Sequence, residues 1–219
     1  LNTYKLPMLA PAQTDISLKE IDKLKCEELI LLHPSRQCWL DGKAYNAGDK
    51  SNDKLYQALR ILKDEGIKVK LYLVDYEFNN HDMLATKKLI KELKIIDLIT
   101  WLPSMSQKEL FKWYKKVDIV VDEFSSGTFG SIGIEALSFG SPLMVYFHEN
   151  NKDFFNEVPP LLSVKSIEDI VNTIKIVDSN RSILVKLSNN IKKWYIKNLD
   201  EKTIILRYQA MYNKVLNEY

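Results

Sequence analysis

The chain has 219 residues, a length that fits one large domain or two small ones. Its 46% hydrophobic and 27% charged residues indicate a globular protein, and a net charge of +2 gives no reason to expect a nucleic-acid partner. The two cysteines, Cys26 and Cys38, form no CxxC motif, and no apolar run reaches membrane-spanning length. We therefore expect a reduced, cytoplasmic protein without a transmembrane segment, and we leave a peripheral association with a membrane open.

The beginning of the chain is expected to lie outside the main fold. Residues 1–17 contain two prolines and little periodicity, which predicts a linker or the end of a preceding domain. Residues 18–219 are expected to form one domain. Its first element is a short helix over residues 18–25, which starts at a capping-box pattern.

Strands and helices then alternate as far as residue 116. Short apolar runs predict the strands, and apolar positions at helical spacing predict the helices between them. The last of these helices is capped by Ser106, with Glu109 at the spacing of a capping box. The strands are expected at residues 29–32, 67–74 and 98–101, and the helices at residues 52–65, 82–93 and 106–116.

Polar residues follow the first predicted strand at its carboxyl end. They are His33, Ser35 and Arg36, and a long polar loop over residues 37–49 comes after them. In open α/β sheets, ligands bind beyond the carboxyl ends of the strands. Arg36 is therefore well placed to contact a ligand.

Residues 118–147 predict a strand, a glycine-rich turn, a helix and a second strand. Residues 119–121 are a short β-branched run, typical of a buried strand, and residues 143–147 predict another. A helical pattern begins at Ser131, after the turn. The turn residues are Ser125, Ser126, Gly127, Gly130 and Gly133.

This turn is a candidate anion site. Backbone N–H groups at a helix N-terminus lie at the positive end of the helix dipole, which suits a ligand such as phosphate. Glu135 lies one turn into the helix, close enough to contact the group that carries the anion. A glycine-rich turn can also be a purely structural crossover, and the motif alone does not decide between the two.

The C-terminal third is predicted to be mostly helical. Residues 161–164 predict a short last strand, and helices are expected at residues 166–178, 181–198 and 201–217, the first with Ser166 and Asp169 in a capping-box-like start. The repeated strand and helix order indicates right-handed βαβ units. We expect an α/β fold, with a Rossmann-like parallel sheet, helices on both faces and additional C-terminal helices.

The region from Asp118 to Pro142 resembles the donor-site segment of GT-B glycosyltransferases, particularly the retaining glycosyltransferase family 4, or group 1. In that family a first glutamate stands eight residues before a second one. Glu135 matches the second, whereas Gly127 stands at the first, and Thr128 replaces the first glycine of the family's Gly-Phe-Gly. The positions that match are Asp118, Phe129, Gly130, Glu135, Ala136, Leu137, Gly140 and Pro142.

A second part of the resemblance follows the first strand. The family has an arginine near the strand end, then Lys-Gly before a helix, and Arg36, Lys50 and Ser51 stand at these positions. The resemblance implies that Arg36 and Lys50 bind the donor diphosphate and stabilise it as it leaves, which preorganised cations do well. Lys43 competes for this role. We favour Lys50, whose backbone is expected to be anchored by the helix that follows.

The resemblance also implies the other donor contacts and the reaction. Glu135 would hold the ribose hydroxyls, and Leu102 and Pro103 lie where the family's base-recognition loop would be. The backbone N–H groups offered to phosphate would come from Gly130, Ser131 and Ile132. The implied reaction is retaining transfer of a hexose from a nucleoside-diphosphate sugar, in glycan biosynthesis, without metal or other cofactor. A glycan, lipid or protein acceptor would be bound by an N-terminal domain that is missing from this chain.

No metal site is expected from the residues themselves. His33, His81 and His148 lack metal-ligand spacing. Asp122 and Glu123 are adjacent at a strand end and are expected to point to opposite faces.

Two other classes of protein stay open. A non-catalytic GT-B-like domain, serving as a nucleotide-binding or protein-interaction module, would account for the missing first glutamate. The presence of Arg36, Lys50 and Glu135 disfavours this alternative. A doubly wound response-regulator or epimerase-like domain is the other alternative, but the carboxylate and histidine set that an epimerase needs cannot be placed.

Overall fold

A computed structural model of the protein describes residues 27–40, 48–76, 80–155 and 157–217. The predicted linker over residues 1–17 and the predicted helix over residues 18–25 lie outside these ranges. The strands are β1 (Leu29–His33), β2 (Val69–Asp75), β3 (Ile99–Pro103), β4 (Ile119–Val121), β5 (Leu143–Val145) and β6 (Leu162–Ser163). The helices are α1 (Asp53–Asp64), α2 (Asn80–Glu92), α3 (Gln107–Lys116), α4 (Ser131–Ser138), α5 (Ile167–Ser179), α6 (Ser182–Asn198) and α7 (Glu201–Asn217).

The six strands form one parallel sheet in the order β3-β2-β1-β4-β5-β6. Leu31 in β1 pairs with Leu71 of β2 on one side and with Ile119 of β4 on the other. The chain builds outward from β1 to β3 and then returns to place β4 beside β1. The predicted Rossmann-like parallel sheet is confirmed. In such sheets ligands bind where the strand order reverses, which here is between β1 and β4.

Both faces of the sheet are buried. Leu31 belongs to a core cluster with Leu59 of α1 and Ile174 of α5. Leu32, the next residue, belongs to a second cluster on the other face, with Leu110 of α3. Because successive side chains of a strand point to opposite faces, one short apolar strand supports both cores.

Two helices begin at capping boxes, as predicted. The Ser106 hydroxyl accepts from the N–H of Glu109, and the Glu109 carboxylate accepts from the N–H of Ser106. Ser166 and Asp169 make the same pair of bonds at the start of α5. These bonds satisfy N–H groups that a helix N-terminus would otherwise leave without partners, so they fix where both helices begin.

The end of β3 differs from the sequence prediction. The predicted strand ends at Trp101 and is followed by a loop, but β3 continues to Pro103. Pairing with β2 persists, with Val74 opposite Leu102 and Asp75 opposite Pro103. β3 is an edge strand, which is where sheets tolerate proline.

Within the described ranges, no helix has both the length and the apolar character that a membrane crossing requires.

Candidate functional site

The carboxyl ends of β1 and β4 meet at the centre of the sheet and define the candidate site. Ser35 and Arg36 follow β1, and Asp122 follows β4 at the start of the glycine-rich turn. Ser35 and Asp122 are buried, whereas Arg36 is exposed. Lys50 joins them from the segment before α1.

A chain of hydrogen bonds fastens this edge of the sheet. The His33 Nδ1 donates to the carbonyl of Val121 at 2.9 Å, and its Nε2 lies 2.7 Å from Nδ2 of Asn52. The Asn52 Oδ1 accepts from the N–H of Cys38 at 2.8 Å. The carbonyl of Cys38 then accepts from the N–H of Lys50 at 2.6 Å. These bonds connect the ends of β4 and β1 to the start of α1.

The partners of His33 fix its protonation state. Because the Asn52 Oδ1 faces a backbone N–H, the amide nitrogen of Asn52 must donate to the imidazole Nε2. Nδ1 therefore carries the ring proton. Burial lowers the pKa of His33 to about 4, so the imidazole is neutral at pH 7.

The backbone of Lys50 is anchored, as predicted. In addition to its bond with Cys38, its carbonyl accepts from the N–H of Phe124 at 3.0 Å. The Lys50 Nζ lies 3.1 Å from Oε2 of Glu123 and 3.5 Å from Oδ1 of Asp122. The ammonium is thus held at the start of the turn that follows β4. Lys43 lies outside the described residues, so the choice between the two lysines stays a prediction.

The prediction that Asp122 and Glu123 point to opposite faces is wrong. Both carboxylates reach Lys50, because β4 ends at Val121 and the alternation of a strand does not extend to them. Burial raises the pKa of Glu123, and the charge of Lys50 acts in the opposite direction. Within the described ranges, no group of three or more His, Cys, Asp and Glu side chains could hold a metal ion.

Asp122 is buried and contacts three separate segments of the site. Its carboxylate is 1% exposed and accepts from the Ser35 hydroxyl at 2.6 Å. Its other oxygen accepts from the N–H of Gly130 at 3.4 Å. With Lys50, these bonds offset the cost of burying the charge, and they tie the loop after β1 to the start of α4.

Ser51 has a backbone conformation that favours glycine. Its φ is 49°, in the left-handed region that glycine enters without penalty. The Asp49 carboxylate accepts from the N–H of Ser51 at 2.7 Å and stabilises this turn. A backbone that suits glycine is thus present at the position where the resemblance expects one.

The first turn of α4 presents backbone donors at the same edge. Gly130 and Ser131 are exposed, and Ile132 is half-buried. N–H groups in the first turn have no acceptor inside their own helix. The N–H of Gly130 already contacts Asp122, so an anion bound here would share the helix end with that carboxylate.

Glu135 is held by two donors from α3. Its carboxylate accepts from Nε2 of Gln107 at 2.6 Å and from the hydroxyl of Tyr114 at 3.0 Å. Burial, with the charge of Glu135, raises the pKa of Tyr114, which keeps this hydroxyl protonated. Glu135 is only 6% exposed, but a carboxylate has about four acceptor positions and can accept further bonds from a ligand.

Gly127 occupies a crowded position with a backbone conformation that L side chains rarely adopt. Its φ is 78°, and an added Cβ would lie 3.0 Å from the His148 Cβ and 3.4 Å from the Tyr146 ring. Its carbonyl accepts from the N–H of His148 and from the Asn151 side chain, each at 2.8 Å. A glutamate would therefore be strained at this φ and would require the neighbouring side chains to shift.

Leu102 and Pro103 lie at the same edge of the sheet but to one side. They end β3, which is separated from β1 by β2. Leu102 is half-buried and Pro103 is exposed. The next element, α3, begins with Gln107, whose contact with Glu135 links this side of the edge to α4.

The sequence did not indicate the contacts that Asn52 and Asp122 make in the site. Asn52 is completely buried and bridges His33 and Cys38, yet it precedes a helix like any ordinary capping residue. Asp122 bonds with Ser35, which lies 87 positions away in the chain. Such contacts have no local signal, because only the sheet brings these residues together.

The family model of group 1 glycosyl transferases matches residues 47–194, more than half of the chain. This range includes Lys50, the turn after β4 and all of α4. A curated relative is the D-inositol 3-phosphate glycosyltransferase of Pseudarthrobacter chlorophenolicus. It is 29% identical over 68 residues, which are 31% of this chain and 16% of that protein.

Solved glycosyltransferase structures share the fold. The sucrose-phosphate synthase of Thermosynechococcus elongatus has a TM-score of 0.68 at 18% identity, over 90% of this chain and 48% of that one. Anabaena HepE, solved with UDP and glucose, has a TM-score of 0.66 at 16% identity, over 86% of this chain and 49% of that one. The C-terminal domain of a glycosyl transferase group 1 family protein from Francisella tularensis has a TM-score of 0.56 at 16% identity, over 86% and 94% of the two chains.

The chain spans about half the length of the first two of these proteins. It corresponds to nearly all of the isolated C-terminal domain. It therefore has the fold of the C-terminal half of a GT-B glycosyltransferase. With a family match over more than half of its length, the chain belongs to the group 1 glycosyltransferases.

Proposed function

We propose that this chain is the donor-binding domain of an enzyme that transfers a sugar from a nucleoside-diphosphate sugar, with retention and without a metal ion. The observation that carries the proposal is the placement of Lys50 and the first turn of α4 at one point. That point is the edge where the strand order reverses between β1 and β4. Ligands of open α/β sheets bind at this edge.

The diphosphate is the part of the donor that this edge suits best. Lys50 and Arg36 supply positive charge, and Gly130, Ser131 and Ile132 supply backbone N–H groups. A nucleoside diphosphate gains negative charge as the glycosidic bond breaks, and donors fixed in advance stabilise that charge with little reorganisation. The UDP in the HepE structure, a protein of similar fold, supports this class of ligand.

The nucleoside is assigned to the side of the edge formed by α3 and β3. Glu135 accepts the ribose hydroxyls, while Gln107 and Tyr114 keep its carboxylate oriented. Leu102 and Pro103 contact the base from the end of β3. In this arrangement the donor lies across the carboxyl ends of the strands, from β3 to α4.

The acceptor is assigned to the other half of the enzyme. In a GT-B protein the acceptor is bound mainly by the N-terminal domain, and this chain covers about half of the sucrose-phosphate synthase and HepE structures. A glycan, lipid or protein hydroxyl would reach the donor across the cleft between the halves.

Calorimetry with the purified chain tests the donor proposal. UDP and GDP are titrated in the presence of EDTA, with UMP, uridine and guanosine as comparison ligands. We expect at least one diphosphate to bind more tightly than its nucleoside, with no change when EDTA is replaced by Mg²⁺. Equal affinity for diphosphate and nucleoside would contradict the proposed site, and binding only with Mg²⁺ would contradict metal independence.

A non-catalytic nucleotide-binding module is the second candidate. Gly127 in place of the first glutamate favours it, because the side chain that the resemblance assigns to this position is missing. Release of UDP from a UDP-sugar by the complete protein with its acceptor decides between the two. Tight nucleotide binding, with no nucleoside diphosphate released from any nucleotide sugar tested, would show that the protein is a non-catalytic module.

A further inference from the structure

The ammonium of Lys50 already has two carboxylate partners. Glu123 lies 3.1 Å away and Asp122 lies 3.5 Å away, and the Lys50 side chain is only 17% exposed. The formal charges of the three side chains sum to −1. A diphosphate that approaches Lys50 therefore meets two negative charges along with the positive one, and in a partly buried site these charges are weakly screened.

The two carboxylates are held differently. Asp122 is 1% exposed and also accepts from Ser35 and Gly130, so it belongs to the framework of the site. Glu123 is 12% exposed, and its second oxygen accepts from the hydroxyl of Ser126, an exposed turn residue. Glu123 is thus the partner that Lys50 can exchange for a ligand while the framework stays in place.

We propose that Glu123 limits the preference of the donor site for a diphosphate over a nucleoside. It does so by competing with the diphosphate for the Lys50 ammonium. The proposal rests on the proposed function and adds a residue that the family pattern does not contain. In the unliganded site Glu123 holds Lys50 in position. When the donor binds, one oxygen of the diphosphate replaces the Glu123 oxygen at Nζ, and the Glu123 carboxylate turns toward solvent and Ser126.

The test compares the affinities of UDP and uridine in the wild type and in Glu123→Gln. Glutamine has nearly the same shape as glutamate but carries no charge. We expect UDP to bind about tenfold more tightly, which corresponds to about 1.4 kcal/mol, while uridine binds as before. The advantage should shrink as the salt concentration rises, because it is electrostatic.

Glu65→Gln is the matched control. Glu65 also pairs with a lysine, Lys175, at 2.7 Å, but it follows the last residue of α1 at the opposite end of that helix. We expect no change in UDP affinity for this variant. An unchanged or weaker UDP affinity in Glu123→Gln would overturn the proposal.

A second measurement needs no substitution. In the carboxyl-labelled wild type, the ¹³C resonance of the Glu123 carboxylate should shift when UDP saturates the protein and stay in place with uridine. A resonance that UDP leaves unchanged would overturn the proposal even if the variant did not fold. A wild type that does not prefer UDP over uridine would instead refute the proposed function, so the two failures are distinguishable.

Discussion

His33 shows at the scale of a single residue how the site is held in one state. Its imidazole is fully buried, donates to Val121 and accepts from Asn52. A second ring proton would face the amide hydrogens of Asn52, and burial disfavours the charge. The neutral ring therefore keeps the ends of β1 and β4 together.

This arrangement makes the free energy of unfolding depend on pH. The pKa of His33 falls from 6.5 to about 4 on folding, so between these values the unfolded chain binds more protons and stability decreases as the pH falls. The contribution is complete above pH 6.5 and lost below pH 4, and it amounts to about 3 kcal/mol. Denaturant unfolding from pH 4 to 8 should show a shallower pH dependence for His33→Gln. An NMR titration that places the His33 pKa near 6.5 would contradict this explanation.

The two cations assigned to the diphosphate make a prediction at the same scale. Lys50→Ala and Arg36→Ala should each weaken UDP or GDP binding by about 1.5–3 kcal/mol, the usual value of a charge-assisted hydrogen bond, and barely affect the nucleoside. Lys63→Ala is the control, because Lys63 lies in the last turn of α1 and pairs with Asp97. Calorimetry with nucleoside, monophosphate and diphosphate measures all three variants. A loss that is equal for uridine and UDP would indicate damage to the fold and would remove the assignment.

At the scale of elements, α1 and α2 end with the same hydrogen-bond pattern but different residues. The residue with positive φ is Gly66 (φ 76°) two positions after α1, and Lys94 (φ 55°) two positions after α2. At both ends the residue after the one with positive φ donates its N–H to the carbonyl five residues earlier, which is the pattern of a Schellman motif. The bonds are Ile67 to Leu62 at 2.9 Å and Ile95 to Ile90 at 3.2 Å.

This pair predicts opposite effects of two substitutions. Gly66→Ala should destabilise the protein by about 0.5–1 kcal/mol, because alanine is strained at positive φ. Lys94→Gly should stabilise it by about the same amount, since removing the strain outweighs the backbone entropy of glycine. The midpoints of denaturant unfolding measure both. A lower stability of Lys94→Gly would show that the lysine side chain contributes more than its backbone costs.

Elements with local signals could be predicted from the sequence. Ser106 with Glu109 and Ser166 with Asp169 stand three residues apart, so the starts of α3 and α5 follow from short segments of the chain. The end of β3 could not be predicted in this way, because pairing with β2 extends it to Pro103.

The assembled sheet brings together residues that are distant in the sequence and have no local signal for their contact. His33 meets Val121 across 88 positions, and Lys50 meets Glu123 across 73. That Arg36 and the turn before α4 lie at the carboxyl ends of strands could be predicted, since each follows an apolar run. The pairing of Lys50 with two carboxylates could not, because it depends on β4 ending at Val121.

A crystal structure of the chain with UDP, or with GDP if that binds more tightly, tests whether the edge between β1 and β4 binds the diphosphate of a nucleotide sugar. We predict phosphate oxygens within hydrogen-bond distance of the Lys50 Nζ and of the N–H groups of Ser131 and Ile132, with the ribose hydroxyls on Glu135. A diphosphate bound elsewhere, with Lys50 still paired to Glu123 and Glu135 without ribose, would contradict the claim.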